Sequence, residues 1–112
     1  MKLNIKYRDD PTGFPGVESN WVSDDIDGMR LLLMALLSES SYRLFYDAVI
    51  ENGRSWDCDS FNIAVNNRLV TITPAYDSTA VWELPLNILI SILKDWREFV
   101  AERSPFTKEY LW

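Results

Sequence analysis

The sequence contains no histidine, a single cysteine (Cys58) and only four glycines among 112 residues, and each scarcity excludes something. Without imidazole no unperturbed side chain changes charge near neutral pH, so the usual proton shuttles and Ser-His-Asp arrangements are ruled out. One thiol cannot close an intramolecular disulfide, and alone it cannot furnish a zinc tetrad. Asp57 and Asp59 flank Cys58 and disfavour a thiolate nucleophile, while an unpaired cysteine fits a reducing compartment. The scarce glycines form no phosphate-cradling loop. Long apolar runs are missing too: Leu31 to Leu37 falls far short of the ~20 residues that span a bilayer. Met1-Lys2-Leu3-Asn4-Ile5-Lys6 lacks the apolar stretch of a signal peptide, so a cytoplasmic location is expected.

Acid and aromatic residues are plentiful. Seventeen Asp and Glu against eleven Lys and Arg give a formal charge of −6, and there are five each of Trp, Tyr and Phe. A chain of this length that is 47% hydrophobic fits one globular domain over residues 1–112. Its aromatics supply enough buried area for the usual ~5–15 kcal/mol of stability without a metal or cofactor. A surface of negative sign repels phosphate backbones and anionic lipid, so direct nucleic-acid or membrane binding is not expected and a basic protein partner is favoured.

Period and punctuation place the elements. Lys2 to Arg8 alternates, with Leu3, Ile5 and Tyr7 on one side, and reads as a half-buried strand. Asp9 to Asn20 concentrates Pro11, Gly13, Pro15 and Gly16 and reads as an irregular loop. A helix is expected over about 24–38, capped by Ser23 or Asp24, with Asp25 and Asp27 at its positive end. Ser41 to Asn52 fits two patterns: Tyr42, Leu44, Tyr46, Ala48 and Ile50 alternate, whereas Phe45 and Val49 have helical spacing. A short helix is the reading adopted.

Two runs flank Asn66-Asn67, a dipeptide tolerant of the positive φ of a two-residue hairpin. Pairing Val65 with Arg68 sets Ile63 against Val70 and Phe61 against Ile72, giving one apolar face. Ala80 to Leu84 reads as a further strand, and Pro85 suits the first turn of a helix. That helix, Leu86 to Arg103, carries Leu89, Ile92, Leu93, Trp96, Phe99 and Val100 on one face, with Lys94, Asp95, Arg97, Glu98 and Glu102 on the other. Phe106 to Trp112 is a tail whose aromatics should dock on the body. The fold class expected is α+β: a small, mainly antiparallel sheet with helices packed on it and a long amphipathic C-terminal helix.

Residues that could carry chemistry are few. Ser23 to Gly28 has a passing likeness to a calcium loop, but Met34 occupies the position of the closing acid, so helix capping is the better reading. Asp57 and Asp59 are two carboxylates with no site around them, and no catalytic function, metal or cofactor is expected. The acids least needed for core or hairpin are Asp24, Asp25, Asp27, Asp57, Asp59 and Glu83; with Trp56 and Trp82 they form the expected partner-binding set, since Trp is enriched at binding hot spots. Trp112 is a further candidate anchor, although for any single one of Trp56, Trp82 and Trp112 burial in the core is the better reading.

The stretches Phe61-Asn62-Ile63, Val70-Thr71-Ile72, Leu84-Pro85-Leu86 and Leu93-Lys94-Asp95-Trp96-Arg97-Glu98-Phe99 resemble small bacterial immunity proteins of contact-dependent growth inhibition and related polymorphic toxin systems. The resemblance covers about residues 60–103 and lies in the hairpin-strand-helix order. It implies a cytoplasmic, non-enzymatic α+β protein that neutralises a cognate toxin domain, often a nuclease, and transfers no individual site residue. The alternative is an acidic adaptor or subunit with no toxin partner.

Overall fold

The computed structural model describes residues 1–9, 11–19, 28–58, 61–75 and 81–112. It is α+β, with two antiparallel sheets and a long helix near the C-terminus. Strand β1 (Lys2–Asp9) forms as its alternation requires, with Leu3, Ile5 and Tyr7 fully buried. It lies at the centre of the first sheet, of order β2-β1-β7.

Both of its neighbours depart from the sequence reading. The segment read as irregular loop contains β2 (Pro15–Ser19), which sets Val17 against Tyr7 and Pro15 against Asp9. Pro15 and Gly16 masked it, yet β2 is an edge strand and Pro15 is its first residue, where a missing N–H is tolerated. The tail is strand β7 (Phe106–Leu111), paired with β1 from Lys2–Leu111 to Tyr7–Phe106. Its aromatics do dock: Tyr110 is buried and Phe106 and Trp112 pack partly against the core.

The second sheet has the order β3-β4-β5-β6, from β3 (Trp56–Asp57), β4 (Phe61–Asn66), β5 (Leu69–Pro74) and β6 (Trp82–Pro85). The hairpin β4–β5 is present in a different register: Val65 faces Val70, Ile63 faces Ile72, and Asn66 faces Leu69. The turn residues are therefore Asn67 and Arg68, at φ 51° and 66°. A slip of two keeps every side chain on its original face, so alternation could not separate the registers. Packing does, because the observed pairing sets valine on valine and moves Arg68 out of the apolar row.

Helix α1 spans Gly28–Ala35, ending earlier than expected, while residues 24–27 lie outside the described residues. The Leu36 N–H is shared between the carbonyls of Leu32 and Leu33, and Leu37 donates to Met34. This tight closure frees Ser38 to cap α2 (Glu39–Phe45), its hydroxyl accepting from the Ser41 N–H at 3.1 Å. Helix α2 runs into a π-helical segment, Tyr46–Glu51, so helix was the right choice for 41–52. Burial decided it: Phe45 and Val49 are fully buried while Leu44 is 66% exposed.

Helix α3 (Leu86–Glu102) packs on β1, β5 and β6 and buries Leu89, Ile92, Leu93, Trp96 and Phe99. Pro85 is its cap, in extended geometry at φ −63°, ψ 146°, rather than a residue of its first turn. Both sheets and the helices share one hydrophobic core. No helix among the described residues is long and apolar enough to cross a membrane.

Candidate functional site

Of the expected partner-binding set, Asp24, Asp25, Asp27 and Asp59 lie outside the described residues. The other four divide between opposite edges of the second sheet. Trp56 and Asp57 form β3 at one edge. Trp56 is half-buried, edge-on to Phe45 at 5.2 Å and tilted against Phe61 at 6.4 Å, so most of its ring stabilises the core. Asp57 is exposed and accepts a hydrogen bond from the Asn62 side chain, its cross-strand neighbour. Trp82 and Glu83 belong to β6 at the other edge, three strand spacings away by the sheet order, roughly 14 Å. Trp82 is only 8% exposed. With Glu83, Leu69, Val81, Met1 and Trp112 it lines a mainly apolar groove of about 550 Å³. The structure thus unites Trp82, Glu83 and Trp112 and keeps them apart from Trp56 and Asp57.

Asp95, which the sequence places with the charged residues of α3, is buried instead, at 7% exposure. Its Oδ2 accepts from the Tyr110 hydroxyl at 2.7 Å and is 2.8 Å from the Lys108 ammonium, and the Tyr7 and Tyr110 hydroxyls are 2.5 Å apart. Burial pushes both phenols well above the ordinary tyrosine range; the hydrogen bond with Tyr110 partly opposes this at Tyr7, while the neighbouring Tyr7 and Asp95 reinforce it at Tyr110. These side chains join α3, β1 and β7. Among the described residues no buried side-chain nitrogen or oxygen lacks a hydrogen-bond partner, and the cluster ties three elements together.

A surface that the sequence reading missed lies over α2 and the π-helical segment. Glu39, Tyr42, Arg43, Tyr46, Asp47 and Glu51 line a groove of about 330 Å³. Glu39 accepts from Arg97 of α3 at 2.6 Å and from Arg43 at 3.1 Å, and these donors hold its carboxyl below the usual range. The Arg97 guanidinium lies 4.2 Å from the centre of the Tyr42 ring, a cation–π distance. The Tyr42 and Tyr46 rings stack at 6.1 Å and 25°. Asp47 is exposed and accepts from Asn52, whose amide also donates to the Asp47 carbonyl at 2.6 Å and helps close the π-helical turn. Gly53, at φ 60°, ends the segment in the left-handed region that glycine favours.

The wider π-helical turn re-aims side chains relative to an α-helix, and such turns recur at functional sites. The available signal was the pair of four-residue spacings, Tyr42 to Tyr46 and Asp47 to Glu51, which one helix face brings together. The competing alternation of the same tyrosines hid it. Among the described residues no group of three or more Cys, Asp or Glu could hold a metal ion. Comparison with protein-family models, curated proteins and solved structures finds no match to this chain.

Proposed function

We propose that this chain is a cytoplasmic, non-catalytic immunity protein that binds and neutralises a cognate toxin domain, a basic nuclease. The observation that carries this reading is the groove over α2 and the π-helical segment, where stacked tyrosine rings meet the exposed carboxylates of Asp47 and Glu51. Rigid aromatic area supplies anchors at modest entropic cost, and carboxylates around it complement a cationic partner. A nuclease cleft must be positive to hold phosphates, so a protein of formal charge −6 is drawn towards it and can occupy the cleft or cover its entrance. The resemblance to immunity proteins agrees with this physical argument. The test is co-expression with the toxin domain encoded by the adjacent gene, read by survival and co-purification. Protection together with a stable complex supports the reading; survival unchanged by the chain contradicts it.

One observation favours the adaptor alternative. The groove of Met1, Leu69, Val81, Trp82 and Trp112 is mainly apolar, and apolar patches of that kind suit standing assemblies. An adaptor would co-purify with the same housekeeping partner from cells that carry no toxin gene.

A further inference from the structure

Resting on the reading of the chain as a binder of basic proteins, we infer that Tyr46, Asp47 and Glu51 form a seat for an arginine side chain of the partner. The template lies one turn away, at Tyr42 and Glu39, which line the same groove. There, Arg97 is placed over the Tyr42 ring at 4.2 Å while the Glu39 carboxylate takes its N–H groups at 2.6 and 3.5 Å. Ring face and carboxylate together hold a planar guanidinium, which stacks and donates at the same time.

Tyr46 repeats the first half of that arrangement, since its ring stacks against Tyr42 at 25° and borders the same groove. Asp47 and Glu51 repeat the second half. Both are exposed, and among the described residues neither forms an ion pair, the Asp47 carboxylate accepting only the neutral Asn52 amide through Oδ1. The groove is lined mostly by apolar surface and has room for a side chain, at about 330 Å³. Arg43, which also lines it, is paired with Glu39 at 3.1 Å, so Asp47 and Glu51 leave the groove with negative charge that selects a cation, and the planar ring favours arginine over lysine. An acidic or neutral occupant would leave the carboxylates facing like charge or desolvated.

The test uses the full chain and a hexa-arginine peptide, with NMR shifts and affinity as readouts. Shifts should centre on Tyr46, Asp47 and Glu51, and hexa-lysine should bind more weakly. The double variant Asp47→Asn/Glu51→Gln should lose about tenfold in affinity and Tyr46→Leu several-fold. Glu98→Gln/Glu102→Gln removes the same charge elsewhere on the surface and should change binding less than twofold. Should Tyr46→Leu fail to fold, the exposed carboxylate pair still decides. Equal losses from both double variants, or shifts centred elsewhere, overturn the seat and leave the protection assay untouched. A chain that gives no protection yet binds hexa-arginine at Tyr46 refutes the immunity reading and retains the seat.

Discussion

Arg68 and Arg103 both hold positive φ, at 66° and 60°, a region that costs a residue with a Cβ about 1 kcal/mol relative to glycine. At Arg68 the side chain makes no hydrogen bond or ion pair among the described residues, whereas Arg103 donates to Asp9 at 2.9 Å and to the Gly13 carbonyl at 2.6 Å. Arg68→Gly should therefore raise stability by about 0.5–1 kcal/mol, and Arg103→Gly should give no gain, because relief of strain is offset by loss of charge-assisted bonds. Thermal midpoints of the two variants check this. The buried phenols make a second prediction. Tyr7 and Tyr110 are raised above an unfolded value of ~10, so their contribution is complete below about pH 10 and is lost as pH climbs towards their folded values. The unfolded chain then binds fewer protons than the folded one, and stability falls by up to about 1.4 kcal/mol per pH unit for each tyrosine. Denaturant titrations between pH 9 and 11 should show that slope flattened in Tyr7→Phe/Tyr110→Phe. None of this was legible in sequence: Asp95 falls among Lys94, Arg97, Glu98 and Glu102 on the charged side of the helix, and only the return of β7 brings Tyr110 and Lys108 to it.

At the scale of elements, hydrophobic period was a sound guide wherever a face is buried. The spacing of Leu89, Ile92, Leu93, Trp96 and Phe99 specified α3 to within a residue of its end, and each is at most 1% exposed. Leu93→Ala or Trp96→Ala should cost about 2–5 kcal/mol through the cavity left beneath the helix. Melting of both variants within a degree or two of the parent would show that this face is not core. Strands that bury little were harder to see. Edge strand β2 buries only Pro15, Gly16 and Val17 among its described side chains, and β3 is two residues long, so turn residues dominate their local signal. Register slips of two were invisible for a related reason, since they exchange partners without exchanging faces.

For the whole molecule, net charge and resemblance motivate the proposed class of partner, but they say nothing of where it would bind. The predicted Trp and Asp residues that the structure describes are spread over two sheet edges, while the ring-and-carboxylate groove lies on the helical side, at Tyr42 to Glu51. One continuous helical segment supplies every residue that lines the groove, and only the Glu39–Arg97 ion pair with α3 beside it is long-range and leaves no local trace. Association with a basic toxin should be fast at low salt and slow as ionic strength screens the attraction. Neutralising Asp47 and Glu51 together should slow association and reduce its salt dependence, because single rim charges contribute only ~0–1 kcal/mol. Stopped-flow mixing at two salt concentrations reads both effects. Inhibition by occupancy of the partner is read by titrating the chain into the purified cognate toxin domain and following toxin activity. A stoichiometric inhibitor gives a linear fall to zero at one molar equivalent. Activity that persists beyond equivalence, or that disappears at a small fraction of it as an enzyme would cause, would contradict it.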